Sequence, residues 1–375
     1  MDPERRSEMK ATEPTWLEIN LSAVTDNCAH ICRETATPLM AIVKGDAYGH
    51  GAVEVARAAL AGGARWLGVA RYGEARTLRH SGIAAPILVL GMATGDEVDE
   101  AIAAGVTLTL HGPEPLALFT ARARAAGRPV AVHIEVDTGM GRMGLFAEET
   151  TAFIRQAQAG GGILVDGLYS HLAMAEEEHP LNSLQLSRFQ QVVDSLQAAN
   201  LRPRWVHLAN SAAAFWLPHS RYDLVRVGNV VLGLRIRIDR PLPDYYRPAL
   251  SWKAQLASCR RLPAGTGIGY GHTYTTTGEE IIGVAPVGYG DGLRRVPGNH
   301  VLIGGERHPV VGRLCLDQLM VRLPRSFAIG EEVVIIGRQG QAAIGVHELA
   351  ALAQTSQVDI TTLLHARVPR LYVRD

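Results

Sequence analysis

Lys44 closes the apolar run Pro38-Leu-Met-Ala-Ile-Val-Lys44, and a lysine at the end of a buried strand has two natural roles. It serves as an ion-pair partner or as a Schiff-base nucleophile, because desolvation lowers the ammonium pKa and frees the amine. Four more apolar runs are interrupted by polar residues in the same way. One ends in Glu135-Val-Asp137 and leads into Thr138-Gly-Met-Gly-Arg142, the next ends at His171, a third at Asn210-Ser211, and a fourth carries Arg226 just before Gly228-Asn229. One or two such interruptions arise by chance, whereas five make a site the better reading. Ser211 with Gly228 and Asn229 supplies a hydroxyl and close-approach backbone N–H groups, the materials of a phosphate cradle. A Schiff-base lysine across from a phosphate cradle suggests pyridoxal phosphate, a combination more specific than either part.

These residues need a scaffold that brings strand ends together. From Pro38 to Gly228 the chain alternates short apolar, β-branched runs with stretches of helical period. The runs are Pro38–Lys44, Trp66–Ala70, Pro86–Leu90, Val106–Leu110, Val130–Asp137, Ile163–Ser170, Trp205–Asn210 and Asp223–Gly228; the helical stretches include Ala52–Ala61, Glu74–His80, Pro113–Ala126 and Leu181–Ala199. Continuous apolar strands separated by helices imply a parallel sheet covered on both faces, and eight repeats predict an α/β fold, a (β/α)8 TIM-like barrel with its chemistry at the strands' C-terminal ends. After Leu234 the pattern changes. Pro241, Pro243 and Pro248 mark a linker, and the runs Ile281–Val287, Val301–Ile303, Pro309–Val311, Leu314–Val321 and Glu332–Ile336, with one helical stretch at Gly345–Ala353, predict a mostly β second domain. The expected division is a charged tail at 1–14, a barrel at 15–240 and a β domain at 241–375, with the strand Trp16–Ile19 able to join either domain.

Composition narrows the class of partner. The 375 residues carry 37 Lys+Arg against 37 Asp+Glu, and no basic block, so the chain lacks the electrostatic drive for nucleic acid or an acidic membrane. No signal-like segment or apolar run of membrane-span length is present, which predicts a cytoplasmic protein. Cys28 and Cys32 share a helical spacing and Cys259 and Cys315 stand alone, so the four cysteines read as packed thiols, with no disulfide framework and no metal site.

Several segments together resemble the bacterial alanine racemases. They are Ala41-Ile-Val-Lys-Gly-Asp-Ala-Tyr-Gly-His-Gly51, Asp137-Thr-Gly-Met-Gly-Arg-Met-Gly144, Gly167-Leu-Tyr-Ser-His171, His207-Leu-Ala-Asn-Ser211, Val225-Arg-Val-Gly228, Gly269-Tyr-Gly271, Gly288-Tyr289, Leu316-Asp317-Gln318 and Arg367-Val-Pro-Arg370, in order from Trp16 onward. The resemblance implies a homodimer with shared active sites, pyridoxal phosphate as cofactor and a small amino acid as substrate. By resemblance, Lys44 joins the cofactor and serves as one base, and Tyr270, from the partner subunit's β domain, is the other. Arg226 then contacts the pyridine nitrogen and His171 links it towards Tyr270. Arg142 meets the cofactor's phenolic oxygen and the substrate carboxylate, Tyr48, Ser211, Gly228 and Asn229 hold the phosphate, and Asn210 is a further cofactor-binding residue. Tyr289, Leu316 and Asp317 line the substrate entrance, Asp317 orienting Arg142 or the substrate loop.

Three positions depart from the family pattern. Glu135 stands where many members have a carbamylated lysine, and it is expected to supply that negative charge to Arg142 permanently. Leu316 replaces a methionine, a near-isosteric change. Val358 stands where relatives have a phosphate-facing tyrosine, which leaves substrate scope open: L- and D-alanine interconversion, supplying D-alanine for peptidoglycan, with a serine or broad-specificity racemase as the alternative. A non-catalytic pyridoxal phosphate carrier would need no second base, a basic amino-acid decarboxylase would need a Glu-Pro-Gly-Arg motif that the chain lacks, and a lysine-dependent aldolase would bind no visible chromophore.

Overall fold

The structure, a computed structural model, describes residues 13–237 and 239–375, so most of the charged tail 1–14 lies outside the described residues. The first strand, β1 (Thr15–Asn20), leads into helix Leu21–Thr35. The barrel strands follow as β2 (Leu39–Ile42), β3 (Trp66–Val69), β4 (Ile87–Val89), β5 (Thr107–Leu110), β6 (Val130–Asp137), the two-residue β7 (Leu145–Phe146) on the edge of β6, β8 (Ile163–Tyr169), β9 (Trp205–His207) and β10 (Val225–Val227). They run parallel in the order β10-β2-β3-β4-β5-β6-β8-β9. Single backbone bonds close the seam between β9 and β10: Asp223 N donates to Val206 O at 2.9 Å and Arg226 N to Ala209 O at 3.0 Å. The barrel read from the sequence is therefore present. Strands β2 to β5 are buried at every position, as strands covered on both faces must be.

Met40, Ile42, Trp66, Leu88, Tyr169 and Leu224 form an apolar plug in the barrel. Buried polar groups, Thr109, His133, His207 and Arg226, come from β5, β6, β9 and β10. A register shift between β6 and β8 leaves Asp166 as an extra residue and sets Gly167 opposite His133. Glycine is required there, because a Cβ would fall 2.4 Å from the His133 ring.

The chain after β2 takes an uncommon course. Gly45, Asp46, Ala47 and Tyr48 all lie in the left-handed region, with φ of 61°, 54°, 51° and 53°. Three of them carry a Cβ, and each such residue costs about 1–2 kcal/mol in this conformation. Contacts from elsewhere must hold the turn.

The strands after the barrel are β11 (Leu250–Gln255), β12 (Ser258–Leu262), the small hairpin β13 (Gly267–Ile268) and β14 (Tyr274–Thr275), then β15 (Glu280–Ala285), β16 (His300–Ile303), β17 (Glu306–Val311), β18 (Leu319–Leu323), β19 (Glu332–Gln339), β20 (Ala342–Ile344) and β21 (Arg370–Val373), and most of them join a second sheet. Its order is β12-β15-β18-β17-β16-β19-β11-β1-β21, with β20 on β19, while β13 and β14 pair only with each other. β1, a strand able from its sequence to join either domain, lies in this sheet. Leu17 and Ile19 are buried and alternate with more exposed neighbours, the period of a strand with one covered face, and β1 runs antiparallel to β11 and parallel to β21. The run Leu314–Val321 is also strand only in its second half. Its first half turns back, with Cys315 N donating to Gln318 O at 2.9 Å.

No helix of the described residues is long and apolar enough to cross a membrane. The four cysteines are free thiols, and burial pushes the Cys28 thiol well up, so it stays protonated and inert.

Candidate active site

A cavity of about 360 Å³ opens at the C-terminal ends of the barrel strands, and most of the residues singled out from the sequence line it. Lys44 and Tyr48 reach it from the left-handed turn, Glu135 from β6, and Arg142 from the loop that follows β6. That loop is folded around Asp137, whose carboxylate accepts from the N–H groups of Gly139, Met140 and Gly141 at 2.8, 2.9 and 3.0 Å. His171 follows β8, and Arg226 lies within β10. Asn210 caps helix Ser211–Trp216 by accepting from Ala213 N, and Ser211 Oγ accepts from Gly228 N at 3.1 Å, which closes the wall made with Gly228 and Asn229. The Tyr48 hydroxyl packs where a Gly228 Cβ would be, 2.6 Å away.

Arg226 is 5% exposed and is held by neutral acceptors alone. Its Nη1 donates to His207 Nδ1 at 2.9 Å and His207 O at 3.2 Å; its Nη2 donates to Ser170 O at 2.8 Å, Leu208 O at 3.3 Å and His171 Nδ1 at 3.2 Å. Among the described residues its Nε–H has no protein partner. Burial lowers its pKa to about 10, which leaves it charged at neutral pH.

A guanidinium can only donate, so Nδ1 of both His207 and His171 must be the bare acceptor and each ring carries its proton on Nε2. His207 Nε2–H then donates to His133 Nδ1 at 2.8 Å, which puts the His133 proton on Nε2, a buried atom with no partner among the described residues. Burial, then the Arg226 charge, holds His171 and His133 at about 3 and His207 well below its ordinary range. His50, buried behind the left-handed turn, is held at about 4, again by burial. The fully buried rings of His50, His133 and His207 stay neutral in the fold but take up protons when the chain unfolds below pH ~6.5. Stability should therefore fall as the pH drops from ~6.5 towards ~4, by about 1.4 kcal/mol per pH unit for each ring. Denaturant unfolding at pH 7, 6 and 5 measures this, and a constant unfolding free energy across that range would contradict it.

Glu135 is 4% exposed, and its Oε1 lies 3.9 Å from Arg142 Nη2. Burial raises its pKa while Arg142 and then Arg226 oppose the rise. Its neighbour Tyr169, whose hydroxyl shares a 3.1 Å bond with Thr109 Oγ1, lies beneath the Arg226 guanidinium. Burial lowers the Lys44 pKa, and the charges of Arg142 and Arg226 lower it further against the pull of Glu74. The shift favours the free amine that nucleophilic and basic roles both require.

Four expected site residues lie elsewhere in the single chain. Tyr270 (68% exposed), Tyr289, Leu316 and Asp317 belong to the second domain, and none lines the cavity. Asp317 does not reach Arg142: its Oδ1 pairs with Arg367 Nη2 at 2.9 Å, and Arg367 Nε also holds Asp291 at 2.7 Å. Leu316 O accepts from Gly290 N at 2.9 Å, tying the 315–318 turn to the turn that bears Tyr289. Val358 lies in the first turn of helix Gln357–Thr362, is half-buried against the core and does not line the cavity. Tyr169, His133, His207 and Glu74 were not assigned roles from the sequence. His207 and Tyr169 sit inside quoted motifs, which was their only signal; His133 and Glu74 had none.

Lys44, Arg142 and Arg226 face the cavity beside the carboxylates of buried Glu135 and exposed Glu176, so the site has more basic than acidic side chains among its described lining residues. It suits an anionic ligand with a phosphate and a carbonyl that an amine can attack. The donor set fits pyridoxal phosphate: Lys44 for the carbonyl carbon, the Arg226 side for the ring, and Tyr48, Ser211, Gly228 and Asn229 for the phosphate.

Comparison with known proteins agrees with this geometry. Residues 19–236 match the model of the alanine racemase N-terminal domain and residues 249–372 that of the C-terminal domain. The chain belongs to the alanine racemase family. An alanine racemase from Symbiobacterium thermophilum is 43% identical over 97% of this chain and 98% of its own length, and one from Geobacillus stearothermophilus is 39% identical over 96% and 94%. Among solved structures, alanine racemase from Clostridium difficile 630 superposes with a TM-score of 0.92 at 33% identity, covering 98% of this chain and 97% of its own. The Bacillus anthracis alanine racemase with bound L-Ala-P gives 0.90 at 36% identity, covering 98% and 96%. The family assignment extends over both domains, so the amino-acid racemases, a class of isomerases, provide the frame for reading the cavity.

Proposed function

We propose that the chain is a cytoplasmic, pyridoxal phosphate-dependent alanine racemase that works as a homodimer, each cavity being completed by Tyr270 of the partner subunit. The observation that carries this reading is the cavity itself, which gathers Lys44, Arg142, His171 and Arg226 at the strands' C-terminal ends while Tyr270 of the same chain lies outside it.

When bound, pyridoxal phosphate would supply the electron sink that makes a Cα proton acidic. Lys44 Nζ would take or return that proton on one face and the Tyr270 hydroxyl on the other. A phenol is a poor base unless its anion is stabilised. His171 supports this: Arg226 occupies its Nδ1, so its Nε2–H is the remaining donor, and the adjacent positive charge strengthens it. The low basicity of His171 keeps it from competing for the proton. Arg226 Nε–H is free to donate to the cofactor ring without surrendering its proton. Arg142 would take the substrate carboxylate, with Glu135 setting its orientation. The test is conversion of L-alanine to D-alanine by the purified protein, together with borohydride labelling of Lys44; absence of both would refute the reading. Rates with L-serine beside L-alanine decide whether Val358 widens the substrate range.

Glu135→Gln should lower turnover by roughly tenfold, because it removes the charge that steadies Arg142 and leaves a buried amide beside Tyr169. Depleting bicarbonate should change nothing in either protein, since a carboxylate needs no carbon dioxide. Full activity of the glutamine variant would remove Glu135 from the mechanism.

A further inference from the structure

The left-handed turn that carries Lys44 and Tyr48 into the cavity is clasped at both ends by residues with no assigned role. At its start, Gly45 N donates to Glu74 Oε1 at 2.6 Å, and Glu74 Oε2 is fixed in turn by the N–H groups of Ala70 and Arg71 at 2.8 and 3.0 Å. At its end, Gly49 O accepts from both Nε and Nη2 of Arg370 at 3.3 Å. The other Arg370 donors go to His365 O and Val368 O at 2.7 Å and Leu364 O at 2.8 Å. The guanidinium thus spends its donors on main-chain carbonyls and ties the C-terminal strand of the second domain to the barrel turn. Gly49, with φ of 85°, lies so close to helix Gln357–Thr362 that a Cβ would stand 2.1 Å from Thr361 O. Three residues with side chains are strained into the left-handed region here, so the turn cannot keep its shape unaided.

We propose that Glu74 and Arg370 are positioning residues that hold the Gly45–Tyr48 turn in its left-handed form, and so set where the Lys44 amine and the Tyr48 hydroxyl meet the cofactor. The second domain then has a task in its own subunit as well as in its partner's. Lysine cannot replace Arg370, since three donors on one nitrogen cannot span carbonyls that a planar fork reaches on several sides.

This inference rests on the cofactor reading above, and the test separates the two. Pyridoxal phosphate affinity, borohydride labelling at Lys44 and backbone hydrogen exchange of the cofactor-free protein are measured for wild type, Arg370→Met, Arg370→Lys and Glu74→Gln. Exchange over residues 44–51 should rise at least about tenfold in each variant while that of β6 stays unchanged, and the cofactor dissociation constant should rise by a similar factor. Failure of the wild type to bind the cofactor at Lys44 would overturn the functional reading, yet faster exchange over 44–51 would still support the clasp. Variants with a lower melting temperature but wild-type affinity and unchanged exchange over 44–51 would overturn the clasp. Should Arg370→Met fail to fold, Glu74→Gln decides the question alone.

Discussion

Lys44→Ala should leave a folded protein whose alanine racemisation is at least about a thousandfold slower, because the change removes both the covalent attachment point and one of the two bases. The fold should not suffer. Lys44 sits among Arg142 and Arg226, whose charges oppose its own, so truncation relieves repulsion at the mouth of the cavity. Compared without cofactor, the variant should therefore melt no lower than wild type, and borohydride should leave no label at position 44. Chiral chromatography of reaction mixtures, read beside a melting curve, separates this outcome from simple unfolding. Activity within tenfold of wild type would mean that another group carries the chemistry.

How far the sequence carried towards this result depends on the range of the interactions involved. Barrel strands announce themselves because burial on both faces demands unbroken apolar runs, and helix Pro113–Ala126 is bracketed by proline in its first turn and by Gly127 in a left-handed cap. The second domain is less legible. Strand β12, Ser258-Cys-Arg-Arg-Leu262, is an edge with little buried apolar surface, and β1 gains its place only by pairing with β11 and β21, more than two hundred residues away. In the site, polar residues that interrupt apolar strands could be picked out locally. What held them could not. The positive φ values of Ala47 and Tyr48 have no signature in those residue types, and Glu74 and Arg370, which clasp the turn, lie far from it in the sequence. The bond of His133 to His207 depends on the register shift at Asp166, and the pairing of Asp317 with Arg367 on a tertiary contact that spacing does not encode.

Mixing two inactive proteins should restore activity. Tyr270→Phe removes the hydroxyl that serves one face of the substrate, so on its own it should depress racemisation by at least about a hundredfold, with one enantiomer's α-proton exchange affected more than the other's. Lys44→Ala is inactive for a different reason, on a different domain. If each cavity combines the barrel of one subunit with Tyr270 of the other, a mixed dimer places both defects in one cavity and leaves the second cavity wild type. Random reassortment of equal amounts makes half of the dimers mixed, each with one intact site of two, so about a quarter of wild-type activity should return. The alternative geometry, in which Tyr270 swings into its own subunit's cavity, puts one defect in every cavity and predicts no recovery at all. Tyr270 is 68% exposed and lies outside the cavity in its own chain, which favours the shared arrangement. Subunit exchange under mild denaturant, followed by assay after refolding, measures the recovered fraction, and a value indistinguishable from the unmixed proteins would place both bases in one chain.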